Sequence, residues 1–284
     1  MKRKIIMDCD PGHDDAIALI LAGAIDSPLE ILAVTTVAGN QSVDKNTTNA
    51  LNVLDIMGRQ DIAVAKGADR PLIKPAAFAS EIHGESGLDG PKLPSTPSRQ
   101  AVAMPASDVI INKVMTSDTP VTIVATGPLT NVATALIREP RIAEHIESIT
   151  LMGGGTFGNW TPTAEFNIWV DAEAAKRVFE SINNPVAQFV VELLQFFKKT
   201  YKTHFNMDGG PIHDACTILY LLQPELFTMV PVNIDIEHQS PLTYGTMAVD
   251  LNHVTGKPAN AYFATAVDVE EVWNLIDHKL RTYE

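Results

Sequence analysis

Four aspartates near the start of the chain are the residues best suited to do chemistry. They lie within eight residues around a Pro-Gly turn: Asp8, Asp10, Asp14 and Asp15. Two carboxylates about 5 Å apart repel each other by roughly 3 kcal/mol at an effective dielectric constant near 20. Because a helix N-terminus supplies only a weak positive pole, the cluster predicts a bound divalent cation. The alternative is a solvated acidic turn in which an aspartate caps a helix.

The segments that flank the cluster predict where it lies in the fold. Residues 5–7 are all apolar and predict a buried parallel strand, and residues 16–22 predict an apolar helix. A strand, a tight turn and a helix place the aspartates at the carboxyl end of the strand. Open α/β sheets bind their ligands at that edge.

Predicted strands and helices alternate along most of the rest of the chain. The sequence predicts strands at 30–38, 62–65, 121–125, 148–152, 230–236, 245–250 and 262–268. It predicts helices at 43–57, 107–116, 129–138, 171–179, 185–203 and 269–280, another beginning at His213, and a long loop over 68–104. We therefore expect one α/β domain over residues 1–284, with an open, mostly parallel central sheet flanked by helices.

Further candidate site residues follow the predicted strands. They are Asn40, Thr126, Met152, Asn159, Glu165, Asn167 and the pair His213-Asp214, with His83 in the long loop. Singly, such residues are typical of turns and helix caps. Together with the aspartates at strand ends they indicate a site. His213, beside an aspartate at a helix start, could donate or relay a proton near neutral pH, or it could be a capping residue.

Charge and composition exclude several classes of function. The net charge of −13 argues against nucleic acid and anionic membranes as partners, since these require a basic surface. No signal-peptide core or membrane-spanning run is present, and two cysteines give no disulfide framework. We expect a cytoplasmic protein that binds a small molecule.

Six sequence blocks resemble one known family. These are DCDPGHDDAIA, TTVAGNQ, HGESGLDG, TGPLTN, the stretch from MGGG to NIWVDAEAA, and HDACT. Together they resemble the calcium-dependent nucleoside hydrolases, the inosine-uridine preferring N-ribohydrolases. The sequence around GNWTPTAEFN and PELFT is most similar to that of the bacterial pyrimidine-specific ribonucleoside hydrolases.

The resemblance implies a role for each candidate residue. One Ca²⁺ per subunit would be bound by the carboxylates of Asp10, Asp15 and Asp214 and by the Thr126 carbonyl. Asp10 would also remove a proton from a calcium-bound water, and His213 and His83 would assist the leaving base. The substrate would be held by Asp14, Asn40, Met152, Asn159, Glu165 and Asn167.

The activity that the resemblance implies is hydrolysis of the N-glycosidic bond of ribonucleosides, with uridine and cytidine preferred. The products would be ribose and the free base, as in pyrimidine salvage and nucleoside catabolism. The family also implies a homo-oligomer, with a tetramer favoured over a dimer.

One departure from the family pattern is expected to affect the sheet. The family carries a further strand, with an Asp-Val-Thr type turn, between the positions of Glu180 and Asn183, and this chain lacks that segment. A parallel strand and its connections need about a dozen residues or more. The sequence instead predicts that one helix leads directly into the next.

Three alternatives remain from the sequence. A purine-preferring or broad-specificity nucleoside hydrolase would use the same site. A haloacid-dehalogenase-like phosphatase shares a strand ending in Asp-x-Asp, although Pro11 and Gly12 occupy the positions that follow. A non-catalytic nucleoside-binding protein would not need Asp10 as a base.

Overall fold

The computed structural model describes residues 2–154, 158–181, 188–191 and 213–281, and it contains one large sheet. The strands of the sheet are β1 (Arg3–Cys9), β2 (Leu29–Thr36), β3 (Val64–Lys66), β4 (Val121–Ala125), β5 (Ile146–Leu151), β6 (Gln188–Val191), β7 (Phe227–Ile236), β8 (Met247–Asp250) and β9 (Ala261–Val267). Their order is β3-β2-β1-β4-β5-β6-β9-β7-β8. Neighbours from β3 to β9 pair in parallel, whereas β7 and β8 join antiparallel.

The described helices cover both faces of this sheet. They are α1 (His13–Ala22), α2 (Val43–Ile56), α3 (Ser80–His83), α4 (Ala106–Thr116), α5 (Thr130–Arg138), α6 (Phe166–Val170), α7 (Ala172–Ser181), α8 (Ala215–Leu222) and α9 (Val269–Arg281), with 3₁₀ turns at Pro140–Glu144 and Pro224–Leu226. No described helix is both long enough and apolar enough to cross a bilayer.

Strand β1 shows how the sequence fills two cores at once. Successive side chains of a strand point to opposite faces of the sheet. Accordingly, Ile5 and Met7 pack in the core formed with α1, α2 and α8, whereas Ile6 packs in the core formed with α4, α5 and α7. All three side chains are completely buried. A continuous apolar run therefore places β1 in the middle of the sheet.

These observations confirm the predicted α/β class and the mostly parallel central sheet. Most predicted elements recur with shifts of a few residues at their ends. The long loop over 68–104 contains the short helix α3, and an isolated bridge joins Ala65 to Val102.

The helix predicted over 185–203 is wrong at residues 188–191. That segment is strand β6, which pairs in parallel with β5 on one side and β9 on the other. Its sequence, Gln-Phe-Val-Val, is rich in residues that favour strands, and the sheet provides two open edges for it. The expected direct passage from helix to helix is therefore wrong as well, and the rest of the predicted helix lies outside the described residues.

A buried hydrogen-bond network ties the centre of the sheet to α5. Asp8 is fully buried and accepts hydrogen bonds from the Thr35 hydroxyl at 2.6 Å and the Asn131 amide at 2.8 Å. Asn131 also donates to the Thr36 carbonyl at 2.9 Å and accepts from the backbone N–H of Ala68 at 2.9 Å. Burial raises the pKa of Asp8 to about 6, although both side-chain hydrogen bonds oppose that shift.

Replacing Asn131 with alanine should destabilise the protein. N131A leaves buried backbone groups without their partner, which we expect to lower the free energy of unfolding by about 2–4 kcal/mol. Urea unfolding measures the change. N112A, at an exposed position on α4, is the matched control and should stay within about 0.5 kcal/mol of the wild type. Equal effects of the two substitutions would contradict the structural role of Asn131.

Candidate functional site

The candidate site lies where the strand order changes direction. Strand β1 pairs with β2 on one side and with β4 on the other, so chain connections leave β1 in opposite directions. In open α/β sheets a crevice forms at the carboxyl ends of such strands. Asp10 follows β1, Asn40 follows β2 and Thr126 follows β4, so all three reach this crevice.

Three aspartates from opposite ends of the described chain meet there. Asp14 and Asp15 lie in the first turn of α1, and Asp214 immediately precedes α8. One carboxylate oxygen from each lies within 4.8 Å of the others, and all three side chains are buried. At this separation the three negative charges repel one another, so a cation or protons must compensate them.

Asp10 lies beside this group and is completely buried. Its Oδ2 accepts a hydrogen bond from the backbone N–H of Asn40 at 2.7 Å. Its Oδ1 has no hydrogen-bond partner among the described residues. Gly127 lies against the carboxylate, so close that an added Cβ atom would be only 2.7 Å from Oδ1. A Cβ at Gly39 would collide with Oδ2. The glycines after β2 and β4 thus make room for the carboxylate.

Asp15 is held by donors from both sides of the crevice. It accepts hydrogen bonds from the backbone N–H of Gly12 at 2.9 Å and from the Thr126 hydroxyl at 2.7 Å. The first of these also caps helix α1, since Gly12 is the residue at its N-cap. Gly12, which ends the turn, therefore also orients the Asp15 carboxylate of the site.

Burial dominates the electrostatics of the acidic cluster. Burial and then the charge of Asp15 raise the pKa of Asp14 to about 7. Burial also raises the pKa values of Asp10 and Asp214 well above the ordinary value, and the charges of neighbouring aspartates add to the shift. Without a cation, part of the cluster would therefore be protonated at neutral pH, whereas a bound cation would favour the charged forms.

A pocket of about 320 Å³ opens over the cluster and gathers most of the predicted site residues. Ten of them line it: Asp14, Asn40, His83, Thr126, Met152, Asn159, Glu165, Asn167, His213 and Asp214. The remaining two, Asp10 and Asp15, lie directly behind this surface and are hydrogen-bonded to Asn40 and Thr126. The residue types predicted from separate strand ends therefore do converge.

The loop after β5 and helix α6 form one polar wall. The Asn167 amide donates to the Thr126 carbonyl at 2.8 Å and to the Met152 carbonyl at 3.2 Å. Glu165 caps α6 by accepting from the N–H groups of Asn167 and Ile168, and it accepts from Gly154 N–H at 2.9 Å. Burial raises the pKa of Glu165, and these backbone donors oppose the shift.

Asn159 supports the same wall by accepting a hydrogen bond from the backbone N–H of Phe166 at 2.9 Å. Phe166 is the first residue of α6, so Asn159 also helps to fix the start of the helix that carries Asn167. Its amide side chain is partly exposed and lines the pocket.

Two imidazoles line the pocket, and burial keeps both neutral. Burial lowers the pKa of His83 to about 3, with the His13 charge as a smaller contribution, and burial lowers the pKa of His213 to about 4. At neutral pH each ring therefore carries a single N–H. Each can offer that N–H as a hydrogen bond without adding positive charge to the site.

The aromatic wall of the pocket was not predicted from the sequence. Trp160 and Phe166 pack edge to face with their ring centroids 4.8 Å apart. The ring centroids of Trp160 and Trp169 are 5.7 Å apart. Trp160, Phe166 and Ile82 all line the pocket. The clustering of aromatics in the GNWTPTAEFNIW block is the signal that could have indicated this wall.

Comparison with known proteins agrees with this geometry. The sequence profile of the family described as inosine-uridine preferring nucleoside hydrolase matches residues 5–187 and 180–274. A pyrimidine-specific ribonucleoside hydrolase RihA from Shewanella sp. (strain ANA-3) is 46% identical, covering 100% of this chain and 98% of the relative. The protein of the same name from Enterobacter sp. (strain 638) is 43% identical, with 100% and 99% covered.

A solved structure shares the fold. The purine-preferring ribonucleoside hydrolase from Gardnerella vaginalis superposes with a TM-score of 0.88 at 27% identity, covering 99% of both chains. The alignment with the Shewanella relative extends over 312 residues, 28 more than the 284 of this chain. The profile match divides at 180–187, where the sequence predicts a missing segment, and that deletion stays a prediction.

The profile covers most of the chain, and relatives above 40% identity align over nearly their whole length. This chain therefore belongs to the inosine-uridine preferring nucleoside hydrolase family.

Proposed function

We propose that this protein hydrolyses the N-glycosidic bond of pyrimidine ribonucleosides, uridine and cytidine, to ribose and the free base. The observation that carries the proposal is one pocket that joins a buried carboxylate cluster to an aromatic wall. A ribose presents hydroxyl groups that suit the first surface, and a planar base suits the second. The names of the relatives at 43–46% identity support the pyrimidine preference.

A purine-preferring or broad-specificity hydrolase is the second candidate. The structural relative from Gardnerella vaginalis carries that preference in its name, but its identity to this chain is only 27%. Base preference depends on the few side chains around the base, so the more similar relatives carry more weight.

The acidic cluster fits a hard divalent cation, and we propose one Ca²⁺ per subunit. Calcium takes six to eight oxygen ligands with tolerant geometry, which suits a set made of carboxylates and a carbonyl. The buried Oδ1 of Asp10, which has no hydrogen-bond partner among the described residues, and the close grouping of Asp14, Asp15 and Asp214 are further features that a cation would explain. The proposed ligands are Asp10, Asp15, Asp214 and the carbonyl of Thr126. When bound, the ion would supply positive charge that acidifies water and polarises the ribose hydroxyls.

Within this site Asp10 is the proposed general base. Its carboxylate lies beside the proposed cation, and the backbone N–H of Asn40 fixes its orientation through Oδ2, which leaves Oδ1 to accept a proton. Asp14, Asn40 and Asn167 would bind the ribose hydroxyls, Asn159 and Glu165 would bind the 5′ end, and Met152 would lie beneath the sugar. Cleavage gives C1′ oxocarbenium character, and the anionic floor stabilises that positive charge.

The leaving base gains negative charge as the bond breaks. His213 and His83 would stabilise it, because each presents a neutral imidazole to the pocket. A neutral donor does not repel the positive sugar as an imidazolium would.

Outside the site, the proposal extends to assembly and cellular role. We propose a homotetramer, with a dimer as the alternative, that acts in the cytoplasm in pyrimidine salvage and nucleoside catabolism. The family resemblance supports these points, and light scattering of the purified protein distinguishes the two assemblies.

A substrate panel tests the proposed reaction. We expect uridine and cytidine to release reducing sugar faster than inosine and adenosine, and a chelator to abolish the release. Faster turnover of purines would contradict the pyrimidine preference alone. Binding without sugar release would contradict the hydrolase, and release of phosphate from a nucleotide would indicate a phosphatase.

Replacing His213 with alanine should lower kcat more than it raises KM. The His213 imidazole would act on the leaving base, whose negative charge develops mainly in the transition state. We therefore expect kcat for uridine to fall by about 100-fold. H145A, which replaces an exposed histidine, is the matched control and should leave both constants unchanged. An unchanged kcat for H213A would remove His213 from the chemistry.

Calcium should stabilise the wild-type protein. At about 100 times the dissociation constant, a ligand adds about 2.7 kcal/mol to the free energy of unfolding. D15N should lose most of that gain. Its own stability in chelator is the reference for this comparison, because the substitution also changes the hydrogen bonds that Asp15 accepts from Gly12 and Thr126.

Thermal unfolding with EDTA and with Ca²⁺ measures both effects. E30Q, which replaces an exposed carboxylate on β2, serves as the control and should respond to Ca²⁺ like the wild type. A wild-type melting temperature that neither Ca²⁺ nor another divalent cation raises would contradict the proposed metal site.

A further inference from the structure

Polar contacts attach the loop that leads into α3 to the segment that carries α6 and α7. The backbone N–H of Leu72 donates to Asp171 Oδ2 at 2.9 Å, and the Lys74 ammonium donates to the Trp169 carbonyl oxygen at 3.0 Å. The apolar side chain between these two contacts does not hold the loop, because Ile73 is 73% exposed. The position of the loop therefore depends on its polar anchors.

The Lys74 ammonium also lies over two aromatic rings. Its Nζ is 3.5 Å from the ring centroid of Trp169 and 4.2 Å from that of Tyr244. The negative face of an aromatic ring attracts a cation within about 6 Å of its centroid, and indole does so most strongly. Trp169 belongs to α6, and Tyr244 lies between β7 and β8. One cation therefore joins three segments of the chain.

Nearby carboxylates balance the charge of this lysine. Burial lowers the pKa of Lys74, and the charges of Glu173 and Asp171 oppose the shift. The hydroxyl of Tyr244 donates a hydrogen bond to Glu173, so the second ring is itself held in place. The carboxylates thus favour the charged ammonium that the interaction with the rings requires.

The ring of Trp169 connects this contact to the pocket. Its centroid is 5.7 Å from that of Trp160, which lines the pocket and packs edge to face on Phe166. Ala79 and Ile82 follow the loop, belong to the same apolar cluster as these aromatics and also line the pocket. The aromatic wall is therefore built from two sides, one from α6 and the loop before it and one from α3, and the ammonium joins the same two sides.

We propose that Lys74 is a positioning residue for the aromatic wall: its ammonium holds the Trp169 ring and the loop before α3 together, and so keeps the wall in the arrangement that binds a planar base. Lys74 is not among the described residues that line the pocket, so it acts through Trp169. The inference rests on the proposed function, because it concerns the affinity of that site for its substrate.

Loss of this contact should change KM rather than kcat. Without the ammonium, the wall is correctly formed in only a fraction of the molecules, and the apparent affinity falls in proportion to that fraction. A saturating substrate selects the correctly formed wall, so turnover of the bound complex should stay the same. The expected pattern is the reverse of the one predicted for H213A.

Three lysine substitutions test this pattern. K74M removes the charge and should raise KM for uridine about tenfold with kcat within about twofold of the wild type. Tenfold corresponds to about 1.4 kcal/mol, within the range known for a cation over an aromatic ring. K74R keeps a cation and should stay within about twofold in both constants. K92M, which replaces an exposed lysine of the same long loop, is the matched control and should change neither.

Three outcomes of this experiment would overturn the proposal. The first is an unchanged KM in K74M. The second is a loss confined to kcat, which would place Lys74 in the chemistry itself. The third is an increase of KM in K74R as large as that in K74M, because arginine also supplies a cation to the rings.

A second substitution separates the aromatic route from the charge of Lys74 on the nearby carboxylates. W169L removes the indole ring and keeps the backbone carbonyl. If Lys74 acts through the ring, adding K74M to W169L should raise KM by no more than about twofold further, since the interaction is already lost. A full tenfold increase in both backgrounds would overturn the proposal and would assign the effect to Asp171 and Glu173.

The indole N–H signals of ¹⁵N-labelled protein test the connection without substrate. The chain has three tryptophans, and W160F and W169F each assign one signal. We expect K74M to shift the signals of both Trp160 and Trp169, whereas K92M should shift neither and K74R should leave that of Trp160 unchanged. An unshifted Trp160 signal in K74M would show that the contact does not reach the pocket, which would overturn the proposal.

Failure of the inference and failure of the proposed function give different results. If the wild type hydrolyses no nucleoside, the proposed function fails, and the indole signals still decide whether Lys74 positions the wall. If the wild type hydrolyses uridine and K74M has the same KM, the inference about Lys74 alone fails.

Discussion

The mutual repulsion of buried carboxylates is the constraint on which the site depends. Asp14 and Asp15 come from α1, Asp214 comes from α8, and folding brings all three out of water together. Such a cluster is stable only when opposite charge, protons or hydrogen-bond donors compensate it. The local structure supplies donors to Asp15 from the Gly12 amide and the Thr126 hydroxyl, and to the neighbouring Asp10 from the Asn40 amide. The remaining negative charge would attract a cation and would stabilise a positively charged transition state.

The rest of the pocket is arranged so as not to cancel that charge. His83 and His213 are the imidazoles that line it, and burial lowers both pKa values far enough to keep the rings neutral. An imidazolium at either position would compete with a cation and would repel an oxocarbenium-like sugar. The aromatic wall of Trp160 and Phe166 adds apolar surface without charge. The pocket therefore divides into an anionic side, which suits the proposed sugar, and a neutral side, which suits the proposed base.

Local sequence patterns predicted the parts of this arrangement that depend on a single strand and the turn after it. The apolar run of β1 and the Pro-Gly turn suffice to place the aspartates at the edge of the sheet. Contacts between distant segments could not be predicted in this way. The close approach of Asp14 to Asp214, and the Trp160–Phe166 wall, arise only when helices and loops pack. Strand β6 was missed because its short apolar run also suits a helix, and pairing with β5 and β9 decides the outcome.

Packing also explains how Asp214 reaches the cluster, although this chain has fewer residues than its alignment with the relatives has positions. The profile match is in two parts that meet at 180–187, where the sequence predicts a missing segment, and Asp214 comes after this region in the chain. Helix α8 is placed by its apolar face, because Ile218 and Leu219 share one buried core with Leu19 of α1. That contact joins α1, whose first turn carries Asp14 and Asp15, to α8, which Asp214 immediately precedes. The position of Asp214 relative to Asp14 is therefore set by the packing of α8 on α1.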